Sequence, residues 1–179
     1  MVQTLTSPNS KTLRLVASRK TTLQTDQAAK PVPVKFEEVE ILVSDSRLAY
    51  WGSQFGHTAI AIDGTVYGRA HPAWDISSRD VYLRRQREKM RRDTWGYVLR
   101  VSPQEKAIIL KEIKHRAMRN EPYSLSSNSC SSNIAEIFDL AGIPVHDPRW
   151  NFGAISPADL MTGLAHSPRL KLRKTYPKP

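Results

Sequence analysis

Residues 123–142 read Tyr123-Ser-Leu-Ser-Ser-Asn-Ser-Cys130-Ser-Ser-Asn-Ile-Ala-Glu-Ile-Phe-Asp-Leu-Ala-Gly142 and contain the single cysteine of this 179-residue chain. Small polar residues surround the thiol, and the apolar periodicity predicts a helix that begins at or just after Cys130. A helix N-terminus favours thiolate, which is the reactive form of cysteine, so this position predicts a nucleophile. The alternative is a buried structural cysteine, but such residues usually have apolar neighbours, whereas Ser129 and Ser131 flank this one.

A thiol nucleophile needs a base, usually histidine, held close to it. His57 opens the strand predicted by His57-Thr-Ala-Ile-Ala-Ile62, and a strand holds a side chain rigidly. Asp63-Gly64 then predicts a hairpin whose second strand begins at Thr65. We therefore expect His57 to be the base. Three other histidines lie in contexts that predict surface positions, namely His115, His146 and His166, although His146 could instead rim a pocket.

A third group is expected to orient the imidazole of His57. If the hairpin loop has three residues, His57 faces His71 on the second strand. If the loop has two residues, His57 faces Ala70 and His71 turns away. The sequence leaves both registers open, so His71 is the first candidate for the third position and Asp75 the second. Either residue could equally have a structural role.

The order of predicted elements indicates an α+β fold, in which helices pack against an antiparallel sheet. Two helices are expected after Ser102 and Ser156, because each serine can cap a helix and is followed by proline at the first helical position. The remaining predictions are a strand or helix start at Val39–Val43, a capped and highly charged helical segment at Ser77–Asp93, a strand at Thr94–Val101, and a last strand or loose end from Arg169. Residues 1–35, which are rich in Thr, Ser, Gln and Lys, predict a flexible arm before a single domain over 36–179.

The composition narrows the class of protein. The net charge of +10, from 27 Lys and Arg against 17 Asp and Glu, favours polyanionic partners such as nucleic acid, anionic lipid or an acidic cell-wall polymer, although a merely solvated basic surface fits equally. A single cysteine excludes an internal disulfide and a cysteine-rich zinc site, and the histidines lack ligand spacing, so neither metal nor cofactor is expected. No apolar run is long enough to predict a membrane span or a Sec signal peptide. The protein is therefore expected to be cytoplasmic or exported without such a signal.

The arrangement of these residues resembles that of the permuted papain-like cysteine hydrolases, the circularly permuted relatives of NlpC/P60 peptidases. In that group a Gly-His strand, here Gly56-His57, precedes the cysteine helix. Residues 122–133 are similar to the group's PYNL…NCS segment, with one serine between Asn128 and Cys130 where the group has asparagine directly before cysteine. Residues 156–160 (Ser-Pro-Ala-Asp-Leu) are similar to a later segment, so the likeness covers roughly residues 40–162.

The resemblance implies a cysteine amidase, peptidase or acyl-transfer fold with Cys130 as nucleophile and His57 as general base. Some relatives have a second histidine on the following strand, which fits His71. Several small members that have no signal peptide are type VI secretion effectors, which cut peptidoglycan peptides. We therefore expect an antibacterial toxin that is secreted without a Sec signal, acts in the periplasm of a target cell, and meets an immunity protein and a component of the secretion machinery.

Three other functions are compatible with the sequence. A lipid-acting acyltransferase or phospholipase of the same fold would keep the cysteine and histidine and change the substrate. Deamidation or cleavage of a protein would do the same. A nucleic-acid-binding protein without enzymatic activity would use the arginine-dense residues 84–92, but Tyr82 is the only aromatic near them, and such proteins often interleave basic residues with stacking aromatics.

Overall fold

The structure is a computed structural model, which describes residues 35–46, 55–147 and 154–179 and the backbone of residues 4–6 and 12–14. The chain divides into two compact units, residues 1–33 and 34–179. In the first unit, strands β1 (Thr4–Thr6) and β2 (Thr12–Arg14) form an antiparallel pair. Apart from these strands and Lys35, the flexible arm predicted over residues 1–35 lies outside the described residues.

The second unit is built on a six-stranded sheet in which every neighbouring pair is antiparallel, as the sequence predicted. The spatial order is β6-β5-β4-β3-β7-β8, and the strands are β3 (Glu37–Ser44), β4 (His57–Ile62), β5 (Thr65–Arg69), β6 (Trp74–Ser78), β7 (Thr94–Val101) and β8 (Leu170–Tyr176). The basic tail is therefore a strand. The sequence did not predict β6, because an edge strand with two of five residues exposed lacks an apolar run.

The hairpin between β4 and β5 has a two-residue loop. Asp63 and Gly64 both have positive φ, 49° and 79°, which is the requirement of a type I′ turn. Ile62 pairs with Thr65 and Ile60 pairs with Tyr67, so continuing this register places residue 70, not residue 71, across from residue 57. Of the two registers that the sequence left open, the structure has the one in which His71 lies beyond the strand.

Four α-helices are present among the described residues: α1 (Arg79–Arg84), α2 (Pro103–Arg119), α3 (Cys130–Leu140) and α4 (Pro157–Ala165). A π-helical turn, Arg85–Lys89, continues α1. The predicted capping at Ser102 is confirmed: its Oγ accepts from the N–H of Glu105 at 3.1 Å, and its own N–H donates to the Glu105 carboxylate at 2.6 Å. Such a cap typically contributes about 1 kcal/mol. Ser156 caps α4 in the same way.

The main core lies between one face of the sheet and helices α2, α3 and α4. It contains Val39, Ile41 and Val43 of β3 and Phe138 of α3, all at most 1% exposed. On the opposite face, a smaller cluster of Leu42, Ala59, Ala61 and Val66 packs against Tyr82 of α1. Because side chains alternate along a strand, His57 lies on the same face as Ala59 and Ala61.

None of the described helices is long and apolar enough to cross a membrane.

A buried carboxylate anchors α1 over this second face. Glu40 of β3 is 7% exposed and accepts hydrogen bonds from Arg79 Nη2 at 2.8 Å and from the Tyr176 hydroxyl at 2.7 Å. The three side chains join β3, α1 and β8. Because a buried charge is costly unless it is paired and hydrogen-bonded, this arrangement fixes where α1, and with it Tyr82, sits on the sheet.

Candidate active site

Cys130 is the first residue of α3, and serines on both sides of it build the start of the helix. Ser129 Oγ accepts from the N–H of Ser132 at 3.1 Å, and Ser132 Oγ accepts from the N–H of Ser129 at 2.8 Å. The small polar residues around the cysteine therefore form a reciprocal cap. The thiol itself is nearly buried, with 6% of Cys130 exposed, and its Sγ lies 3.8 Å from Ser131 Oγ.

The thiol lies against the first two residues of β4. Burial on its own raises the pKa of the Cys130 thiol, but a hydrogen bond and the charge of His57, together with hydrogen bonds from Thr58, outweigh burial and lower the pKa from 9.0 to about 6. The positive end of the α3 dipole favours the same anionic form. A cysteine with such a pKa is largely thiolate at neutral pH, which makes it a competent nucleophile.

The imidazole of His57 lies in a notch between Gly68 of β5 and Tyr82 of α1. A Cβ atom on Gly68 would come within 3.1 Å of His57 Nε2, so only glycine leaves the ring its present space. The Tyr82 ring centroid is 6.3 Å from that of His57, with the planes at 34°. Tyr82 is fully buried, and burial raises the pKa of its hydroxyl. Nothing in the local sequence indicated that Gly68 or Tyr82 would border the site.

The two candidates for the third position have other partners. His71 is exposed, and its ring meets Tyr123 edge-on at 6.2 Å between centroids. Asp75 on β6 forms an ion pair with Arg85. Of the predicted site residues, the structure thus brings Cys130 and His57 together, while His71 lies beside the loop that precedes the cysteine.

The remaining histidines and acidic residues offer no metal centre within the part of the chain that the structure describes. No cluster of three or more His, Cys, Asp or Glu side chains there could hold a metal ion. His115 is exposed beside Glu112, and His166 Nδ1 lies 2.9 Å from the carbonyl oxygen of Thr162 at the end of α4.

A cavity of about 630 Å³ lies beside the loop that leads to the cysteine. Ser127 and Asn128 of that loop form part of its wall, whereas neither Cys130 nor His57 lines it. Most of the lining is polar or charged, with opposite charges paired, as in Arg116 with Glu136. The lining residues are Trp74, Glu112, His115, Arg116, Arg119, Glu121, Pro122, Ser127, Asn128, Asn133 and Glu136.

Comparison with known proteins adds three findings. A family model described as the Lnb N-terminal periplasmic domain matches residues 74–167, just over half of the chain, a span that includes Cys130 but not His57. A crystal structure titled type VI secretion system effector TseH is similar to this chain, with a TM-score of 0.47 and 17% sequence identity over 74% of this chain and 90% of that chain. No curated protein sequence matches significantly.

Proposed function

The chain belongs to the family described as the Lnb N-terminal periplasmic domain, and we propose that it is a cysteine hydrolase of the permuted papain-like type that cleaves an amide bond in peptidoglycan peptides. One observation carries the proposal: Cys130 begins α3 in contact with His57, whose hydrogen bond and charge oppose burial and hold the thiol pKa at about 6. A structural cysteine in an apolar core would have its pKa raised instead.

The mechanism has two steps. The Cys130 thiolate attacks the carbonyl carbon, and as the C–N bond breaks, protonated His57 gives its proton to the leaving amine. Neutral His57 then takes a proton from water, whose oxygen attacks the thioester, and the carboxylic product leaves as the thiolate is restored. The Cys–His pair is complete for both steps, so a third residue, whether His71 or Asp75, would serve only to orient the imidazole.

The start of α3 offers donors for the oxyanion that forms in each step. A helix leaves its first N–H groups without intrahelical partners. The N–H of Ser132 donates to Ser129 Oγ, and that of Asn133 donates to the Ser129 carbonyl oxygen. Within the part of the chain that the structure describes, the N–H groups of Cys130 and Ser131 have no hydrogen-bond partner, so they could donate to the substrate oxygen, where such donors typically contribute about 3 kcal/mol.

Several features support an acidic peptide as substrate. The net charge is +10, and exposed cations follow Tyr82 along the chain at Arg84, Arg87 and Lys89. Peptidoglycan peptides carry free carboxylates, so a basic surface would attract them.

The setting that we propose is the periplasm of a target bacterium. The family description places the Lnb domain in that compartment, and the sequence resemblance is to peptidoglycan-cutting effectors of type VI secretion. In this role the protein would be an antibacterial toxin, neutralised in the producing cell by an immunity protein.

A lipid-acting acyltransferase is the second candidate, because a basic surface attracts anionic headgroups as well as cell-wall polymer. Binding of nucleic acid as the main function has less support. Tyr82, the aromatic residue of the arginine-dense region, is fully buried against His57 and so cannot stack on a base.

The test is digestion of purified peptidoglycan by wild type, Cys130→Ala and His57→Ala, with the products read by mass spectrometry. We expect new muropeptides from wild type, none from Cys130→Ala, and a rate lowered by a factor on the order of 100 to 10,000 for His57→Ala, the usual contribution of a general acid–base residue. His71→Ala and Asp75→Asn should each cost less than His57→Ala. Intact sacculi with wild type, together with acyl transfer from anionic phospholipid vesicles, would favour the lipid reading.

A further inference from the structure

The loop between α2 and α3 is closed by the side chain of Asn128, which lies two residues before the cysteine. Asn128 Nδ2 donates to the carbonyl oxygens of Glu121 at 3.1 Å and Pro122 at 2.7 Å. Its backbone also pairs with Ser124 in both directions, at 2.9 and 3.3 Å. One asparagine therefore ties the beginning of the loop to its end.

Arg69 of β5 binds the beginning of this loop, at Glu121, from the side of the sheet. It is 2% exposed, and its Nη2 donates to the Glu121 carbonyl oxygen at 2.6 Å, while its guanidinium lies 5.5 Å from the centre of the Tyr123 ring. Burial lowers the pKa of this guanidinium, and backbone carbonyls, including that of Ala70, accept hydrogen bonds from it. A buried cation is costly to keep, so the carbonyls it holds are fixed firmly in place.

Asn133, one turn into α3, orients the amide of Asn128. Asn133 is 2% exposed, and its Nδ2 donates to Asn128 Oδ1 at 2.7 Å and to the Ser129 carbonyl oxygen at 2.8 Å. Arg116 of α2 donates to Asn133 Oδ1 at 3.0 Å and is itself held by Glu112 and Glu136. Because Asn128 Oδ1 is occupied as an acceptor, its Nδ2 must face the two loop carbonyls.

We infer that Asn128 is a positioning residue. Its side-chain amide, oriented by Asn133, ties the end of the loop to its beginning, where Arg69 also binds. This contact fixes Cys130 against His57. The hydrogen bonds leave Ser129 as the only residue between Asn128 and the nucleophile. A loop that is free at this point could let the thiol move away from β4, and a misplacement of about 1 Å can cost a factor of about 100 in rate. For its effect on turnover, the inference rests on the proposed function.

The test uses the fact that Cys130 is the chain's single cysteine, so alkylation by iodoacetamide reports on this thiol alone and needs no substrate. In wild type, the alkylation rate should rise with pH through about 6. In Asn128→Ala, the thiol loses part of its contact with His57 while it stays buried, so the inflection should move upward. Turnover of muropeptides should fall by a factor on the order of 10 to 100, with KM little changed.

Ser126→Ala is the matched control, since Ser126 is an exposed residue of the same loop that holds neither carbonyl. It should keep the wild-type inflection and turnover. Circular dichroism checks folding. If Asn128→Ala does not fold, Asn128→Ser, which keeps a short polar side chain unable to reach both carbonyls, takes its place.

The outcomes separate this inference from the proposed function. A folded Asn128 variant with the wild-type alkylation profile and turnover would overturn the positioning role and leave the hydrolase assignment intact. A shifted profile in a protein whose wild type cleaves no muropeptide would support the positioning role and count against the substrate.

Discussion

At Cys130, two opposing effects act on one sulfur atom. Burial disfavours the thiolate, whereas the hydrogen bond and charge of His57 and the hydrogen bonds from Thr58 favour it, and the second group prevails. The consequence for folding has a definite sign. Because the folded pKa of about 6 lies below the ordinary 9.0, the thiolate contributes stability that is fully present above pH 9.0 and is lost as the pH falls through about 6.

Removing His57 should reverse the balance at the thiol. In His57→Ala the hydrogen bond and charge of His57 are lost, while burial and the hydrogen bonds from Thr58 remain, so we expect the alkylation inflection to move upward from about 6. The measurement is the iodoacetamide rate as a function of pH. An inflection that stays near 6 would mean that Thr58 and the α3 N-terminus, and not His57, set the thiol pKa.

The positions of Cys130 and His57 in the fold were predictable from the sequence because both carry local signals, a serine-rich helix start and a strand opened by Gly-His. The neighbours of His57 were not. Tyr82 and Gly68 reach the imidazole only through the packing of α1 and the register of β5, and no local pattern encodes either. Asn128 was visible in the sequence, but its hydrogen bonds depend on carbonyls six and seven residues earlier.

At the scale of elements, the β4–β5 hairpin decides which residue lies beside His57. Its two-residue turn sets the register that places Gly68, a residue without a side chain, against His57 Nε2. A three-residue loop would have shifted every residue of β5 to the opposite face. The turn at residues 63 and 64 thus acts on the site through strand geometry alone.

Gly68→Ala should therefore impair the site without unfolding the sheet. Its Cβ would lie 3.1 Å from His57 Nε2, so the ring must shift by a few tenths of an ångström. We expect a lower kcat and a higher inflection for Cys130 alkylation, with the thermal midpoint changed by only a few degrees. Thr65→Ala, at the far end of the same strand, is the control. A wild-type kcat in Gly68→Ala would show that the added Cβ is accommodated without disturbing His57.

Elements with local signals were predictable, and those that depend on distant partners were not. The capping serines of α2 and α4 predict those helices, and Asp-Gly predicts the hairpin. Strand β6 has no such signal because its pairing with β5 substitutes for an apolar sequence, and the π-helical turn after α1 is likewise unmarked. The central place of β3, between β4 and β7, follows from contacts across the whole domain.

For the whole molecule, the excess of ten positive charges predicts how reaction with a polymer depends on salt. Screening shortens the reach of exposed charges to about 10 Å at 0.1 M salt. We expect KM for peptidoglycan to rise with ionic strength, and Arg84→Gln with Arg87→Gln to raise it at low salt while kcat is kept. Lys111→Gln, an exposed cation of α2, is the control. A KM independent of salt would exclude electrostatic attraction of the substrate.

The cationic C-terminal strand has one more consequence, for the behaviour of the protein at high concentration. Strand β8 is an edge of the sheet, and an edge offers unpaired backbone groups to any other strand. Lys171, Arg173 and Lys174 are exposed along it. If two copies met edge to edge at β8, their like charges would come together. The residues that make the tail basic therefore also disfavour edge-to-edge pairing of sheets into a fibril.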